Sequence, residues 1–229
     1  DVDDPPSISI MDYELEAVHE FVYLGSTISD NLSIDTELNR RIGKAATTLS
    51  RLTQRVWANN KLTEHTKAQV YMACVVTTLL YGSESWTLSS RQGKRLSAFH
   101  MHCLRRILGV SWKDHVTNRA VLERAGVSSM FTPSNRDACA GSVMSAGWMT
   151  AASQKDLLYG ELASGKRPTG RPQLRYKDVC KRDLKALAIN PNTWEAAAAD
   201  RNTWRCQVKR SLAQYEQELM QQAGEKHHE

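Results

Sequence analysis

Ser33-Ile34-Asp35-Thr36-Glu37-Leu38-Asn39-Arg40-Arg41-Ile42-Gly43-Lys44-Ala45-Ala46-Thr47-Thr48-Leu49-Ser50-Arg51-Leu52-Thr53-Gln54-Arg55-Val56 carries two periodic patterns at once. Ile34, Leu38, Ile42, Ala45, Leu49, Leu52 and Val56 recur at steps of three and four, the spacing of one helix face. At about 100° per residue, those from Leu38 onward fall within an arc of about 80°. Arg40, Lys44, Arg51 and Arg55 fall within about 60° of one another on the opposite side. One face therefore suits a core, and the other presents cations in a row along the axis. Such a row can follow phosphates. A solvated charged face is the plainer reading of the same pattern.

Downstream, the helical periodicity continues. A second helix is predicted from about Thr63 to Tyr81, with Gly82 as its stop. Its stretch from Val70 to Val76, continuing to Leu79 and Leu80, is apolar nearly all round, as in the centre of a bundle. A third helix begins near Ser89 or Ser90 and ends at Gly109. Leu96, Phe99, Cys103 and Ile107 form its buried stripe, with Arg91, Lys94, Arg95, Arg105 and Arg106 on the other side. A shorter helix follows from Thr117 to Ala125, stopped by Gly126. Residues 133–154 show no periodicity, and Gly165-Lys166-Arg167-Pro168-Thr169-Gly170-Arg171-Pro172 must be extended or turning. The C-terminal part reads as helices from about Gln173 to Ala188, Thr193 to Ala199 and Thr203 to Ala223, with Asp200 or Asn202 near the last cap.

Upstream of Ser33 the period changes to two. Ser7–Met11 and Glu14–Val18 alternate polar and apolar residues around Asp12, and Glu20-Phe21-Val22-Tyr23-Leu24 ends at Gly25. These runs predict a small antiparallel meander or hairpin. The charge divides along the same lines. Residues 1–32 hold eight acids and no Lys or Arg, whereas residues 33–127 hold fifteen bases against six acids. The middle of the chain is thus basic enough to attract a polyanion.

Other classes are excluded. No run of eighteen apolar residues exists, so no helical membrane span is expected. The acidic start Asp1-Val2-Asp3-Asp4-Pro5-Pro6 lacks the order of a signal peptide, and the missing initiator Met implies residues upstream. Cys74, Cys103, Cys139, Cys180 and Cys206 are odd in number and scattered, which points to an intracellular, reducing compartment, nuclear or cytoplasmic. His100, His102, Cys103 and His115 are the nearest approach to a metal cluster. On a helix, however, His100 and His102 point about 200° apart, and both read as ordinary helix residues.

Several blocks resemble one family. Phe21-Val22-Tyr23-Leu24-Gly25-Ser26-Thr27-Ile28 is similar to the F-x-Y-L-G segment of reverse transcriptases from non-long-terminal-repeat retrotransposons. Glu37-Leu38-Asn39-Arg40-Arg41-Ile42 and Leu79-Leu80-Tyr81-Gly82-Ser83-Glu84-Ser85-Trp86 look like thumb blocks of the RTE-like branch. Cys103–Leu108, Ser111-Trp112-Lys113-Asp114 and Gly170–Asp178 continue the likeness, which covers residues 7–132 and 155–212. The order and spacing of the blocks make the resemblance specific. It implies that Phe21, Tyr23, Leu24 and Gly25 belong to a primer grip, and that the following helices form a thumb over a template–primer duplex. For Phe21, Tyr23 and Leu24 the plainer reading is a buried strand.

The resemblance also shows what is missing. Two-metal polymerisation needs neighbouring aspartates, in this family within an aromatic-x-Asp-Asp turn. The only Asp pair, Asp3-Asp4, is followed by Pro5-Pro6 and does not match. No cofactor is expected in this chain, although the parent enzyme would use Mg2+. Where the family carries W-L-G-H-x-x-R-M-D-D-x-R-x-P-K, this chain has Ala140 to Lys155. Codons for that stretch, read one frame along, permit Trp-Leu-Gly-His-Val-Cys-Arg-Met-Asp-Asp-Gly-Arg-Ile-Pro-Lys. We infer that about residues 133–154 are encoded out of frame between two compensating indels, which the nucleotide sequence of the gene tests.

The expected fold is mainly α: a β-meander or hairpin over 1–32, a thumb-like bundle over 33–127, an irregular linker over 128–172 and C-terminal helices over 173–223. The expected function is template–primer binding by a fragment of an RNA-directed DNA polymerase that lacks its own catalytic centre. Candidate contacts are Phe21, Tyr23, Leu24, Gly25, Arg40, Arg41, Lys44, Arg51, Arg55, Lys166, Arg167, Arg171 and Arg175. The basic Gly/Pro segment suits an A·T-rich minor groove, a phosphate-binding linker or a solvated hinge. Expected partners are RNA, DNA or their hybrid. The alternatives are a co-opted host nucleic-acid-binding protein, and a translated relic or interaction module.

Overall fold

The structure is a computed structural model and describes residues 8–10, 13–31, 33–130 and 175–225. The protein is mainly helical, as the periodicity predicts. The expected meander or hairpin takes the form of two separate antiparallel hairpins. Strands β1 (Ile8–Ile10) and β2 (Tyr13–Leu15) form one, and β3 (Glu20–Tyr23) and β4 (Ser26–Ser29) form the other. The sequence reading missed β4 because Ser26-Thr27-Ile28-Ser29 is short and carries a single large apolar residue.

Helix α1 (Asp35–Arg51) buries Leu38, Ala45 and Leu49, and Ile34, Ile42, Leu52 and Val56 pack partly against the same core. Its axis continues into a π-helical stretch, Thr53–Trp57, where the Trp57 indole donates to the Leu49 carbonyl at 2.7 Å. The second helix starts at Thr63, whose hydroxyl accepts from the Thr66 amide. It comprises α2 (Glu64–Val70), a π-helical stretch (Tyr71–Val76) and α3 (Thr77–Leu79). Tyr71, Val75, Val76 and Leu79 are buried, but Ala73 and Cys74 are exposed, so the helix lies at the bundle's heart without being enclosed on every side.

The remaining boundaries follow local chemistry. Ser89 and Gln92 form a reciprocal capping box at the start of α4 (Ser90–Leu108), and Gly109 ends it in the left-handed region. Thr117 caps α5 (Asn118–Ala125), and Gly126 closes it the same way. One apolar core runs from Leu38 to Met130. Within it the Tyr71 hydroxyl meets His100 Nδ1 at 2.9 Å; burial lowers His100 to about 4 and pushes the Cys103 thiol up to about 11.

A second apolar cluster joins the C-terminal helices α6 (Tyr176–Ala186), α7 (Trp194–Ala198) and α8 (Arg201–Glu225) around Leu184, Leu187, Trp194, Trp204, Val208 and Leu212. The Trp194 and Trp204 rings lie 6.3 Å apart. Asp200 caps α8 by accepting from the Asn202 amide and the Thr203 hydroxyl. The two clusters meet where the Ser129 amide donates to Glu216. The linker beyond Met130, including the out-of-frame reading of 133–154, lies outside the described residues. No described helix is long and apolar enough to cross a membrane.

Candidate nucleic-acid interface

Three of the blocks singled out in the sequence converge on one turn. Tyr23 pairs with Ser26, so β3 and β4 are joined by Leu24 and Gly25 alone. Both have positive φ, 47° and 84°, the two-residue turn whose twist suits a hairpin. Gly25 adopts this region freely, whereas Leu24 does so against steric preference, at a cost of roughly 1–2 kcal/mol. The surroundings therefore have to hold the turn in place.

Arg41 does much of this. Its Nη2 donates to the Gly25 carbonyl at 2.6 Å and to Ser26 Oγ at 3.4 Å, while its Nε donates to Glu37 Oε1 at 2.6 Å. The Tyr81 ring lies 4.4 Å from the guanidinium carbon, and the Tyr81 hydroxyl donates to the Leu24 carbonyl at 2.9 Å. Glu37 accepts from the Thr27 amide at 2.8 Å through its other oxygen. Arg41 and Glu37 are 4% and 3% exposed, so this is a buried ion pair, with further bonds to the turn from both partners. Burial alone would raise the Glu37 carboxyl; the bonds from Arg41 and Thr27 outweigh it and hold the group below its ordinary value. Gly82, at φ 79°, lets the end of the second helix approach the turn, since a Cβ there would sit 2.8 Å from Ser26 Oγ.

The hairpin so anchored presents its aromatic residues to solvent. Phe21 lies opposite Ile28 and Tyr23 opposite Ser26, which places Phe21, Tyr23 and Ile28 on one face. The Phe21 and Tyr23 rings stack at 6.5 Å, and both side chains are more than half exposed, as is Leu24. The plainer reading of a buried strand therefore fails. All four residues of β3 are exposed, so neither face of the strand is enclosed.

The cations of α1 divide into two sets. Lys44, Arg51 and Arg55 are exposed along the helix and its π-helical continuation, opposite Leu38, Ala45 and Leu49. Arg40 is half-buried and donates to Thr27 Oγ1 at 3.1 Å, so it braces the hairpin at the end of the same row. Arg41 is a correction to the sequence reading: as a buried partner of Glu37 it is unavailable to phosphates. Its place was legible, because it lies about 60° from Leu38 on the wheel, on the core side. Tyr81 and Glu37 stand in the thumb-like blocks but not among the candidate contacts, although the i, i+4 spacing of Glu37 and Arg41 is a readable signal. Arg175 stands just before the first turn of α6, and its Nε pairs with Asp178 Oδ2 at 2.8 Å. Lys166, Arg167 and Arg171 lie outside the described residues.

The arrangement sets exposed cations along a helix whose base is locked to an exposed aromatic hairpin. A comparison with curated proteins bears on its origin. The chain is 25% identical over 217 residues to an uncharacterised transposon-derived protein of Caenorhabditis elegans, covering 86% of this chain and 73% of that protein. The likeness is consistent with a transposon origin. No protein-family model matches the chain, and no solved structure matches it.

Proposed function

We propose that the chain is the primer-grip-like and thumb-like part of an RTE-like retrotransposon reverse transcriptase, and that it holds a template–primer duplex by its phosphates. The observation that carries this reading is the exposed row Lys44, Arg51 and Arg55, on a helix welded at its base to the Phe21–Ile28 hairpin. Cations spaced along a rod neutralise phosphates without reading bases, so binding should be insensitive to sequence. Phe21 and Tyr23 would lie against the primer end. The aspartates that would hold Mg2+ for polymerisation have no counterpart in this sequence. The chain's own contribution is therefore positioning.

The test is fluorescence anisotropy with an RNA–DNA hybrid of arbitrary sequence, titrated at several salt concentrations. The reading expects a linear fall of log affinity with log salt, with a slope of about −0.9 for each phosphate neutralised. Hybrid binding that is absent at low salt, or that does not change with salt, would overturn it.

A further inference from the structure

Trp112 is 79% exposed, the largest value for any big apolar side chain among the described residues. Trp57, Trp86, Trp194 and Trp204 are all between 4% and 7% exposed. An indole left in water forgoes a large burial gain. Its loop is not a loose tip. The Ser111 amide donates to Asp114 Oδ2 at 2.7 Å, the Lys113 amide donates to Ser111 Oγ, and His115 is held at φ 48°. Behind it, Arg105 donates to the Val116 carbonyl and to Asn118 Oδ1, each at 2.8 Å. The ring is presented on a fixed mount.

Its surroundings are cationic. Lys113 Nζ lies 5.9 Å from the ring centroid, and the Asp114 carboxylate accepts from the Ser111 amide. Helix α4, which leads to the loop, contains no acidic residue from Ser90 to Leu108. On it Arg91, Arg95, His102 and Arg106 are all exposed and fall within about 60° of one another on the wheel. A line of bases thus runs along α4 toward a rigid, solvent-facing indole. This line is distinct from the Lys44–Arg55 row of α1. Aromatic faces combined with basic tracks are how proteins hold unpaired strands, because every base has a face to stack.

We propose that Trp112 stacks on an unpaired base of single-stranded RNA or DNA, and that the strand's phosphates follow Arg91, Arg95 and Arg106 along α4. The inference extends the polyanion-binding reading to a second surface, and two ligands separate the two. Anisotropy is measured on the whole chain with a thymidine dodecamer and, separately, with a blunt RNA–DNA hybrid. Trp112→Ala should weaken dodecamer binding roughly tenfold, Trp112→Phe should retain most of it, and hybrid binding should be unchanged in both. An abasic dodecamer should bind the parent and Trp112→Ala equally. The proposal is overturned if Trp112→Ala binds the dodecamer like the parent, or loses hybrid and dodecamer binding alike. It is also overturned if the substitution only abolishes self-association, which would make the indole a protein contact. Each of these results leaves the duplex reading standing, because that reading fails if the parent does not bind the hybrid or binds it without salt dependence.

Discussion

Arg41 and Lys44 are less than one helical turn apart, yet they live in different solvents. Arg41 is enclosed by Glu37, the Gly25 carbonyl and the Tyr81 ring, whereas Lys44 faces water with Arg51 and Arg55 beyond it. A buried charge has to be matched atom for atom, so it fixes one geometry. An exposed charge is cheap to hold and free to meet a ligand. The two sides of α1 thus differ in kind: one side sets where the hairpin stands, and the other presents its cations to solvent.

The sharpest way to break this contrast is at the buried side. Arg41→Ala leaves Glu37 buried without its partner and should cost about 3–5 kcal/mol in urea unfolding. A cost below about 1 kcal/mol would mean that the pair is solvated. Replacing both partners together, Glu37→Leu with Arg41→Leu, should cost much less, because no lone charge remains.

Acid provides a second probe of the interior. Burial holds His100 at about 4, below its ordinary value, so the folded protein keeps it neutral while the unfolded chain takes up a proton. The stability this contributes is complete above about pH 6.5 and is lost as pH falls toward 4, by roughly 3 kcal/mol at most. Urea midpoints measured across that window should fall in the parent and fall less in His100→Gln. Equal falls in both would remove His100 as the cause.

The turn itself gives smaller effects of opposite sign. Gly82→Ala should destabilise by about 1–2 kcal/mol, because φ 79° is unfavourable for an L side chain and the new Cβ meets Ser26 Oγ. Leu24→Asn should stabilise by up to about 1 kcal/mol, since Asn-Gly suits a turn with positive φ at both positions. Thermal unfolding resolves both changes. A neutral Gly82→Ala would show that the second helix does not press on the hairpin.

Much of the fold was legible, because its signals are local. Thr63, Ser89 and Thr117 cap helices as their side chains dictate, and Gly82, Gly109 and Gly126 take the left-handed conformations that end them. The core face of α1 was readable from spacing alone. What escaped depends on partners distant in sequence. Arg41 is buried because Gly25 and Tyr81 come to it from sixteen and forty residues away. Phe21 and Tyr23 are exposed because the hairpin meets the bundle through its turn, through β4 and through the bond from Thr36 to Glu20, and their rings stay uncovered. The π-helical stretches have no spacing signature separate from an ordinary apolar helix. Of the site, the row of exposed cations and the core-side place of Arg41 were readable, and its meeting with Gly25 and Tyr81 was not.

The proposed grip on phosphates belongs to the exposed row on α1, and the buried pair only shapes its mount. The most direct measurement compares the parent with Lys44→Ala/Arg51→Ala/Arg55→Ala for hybrid binding over a range of salt. Stability should change by less than about 0.5 kcal/mol per site. Affinity should fall, and the salt slope should flatten by about 3. An unchanged slope, with the variant fully folded, would contradict the account.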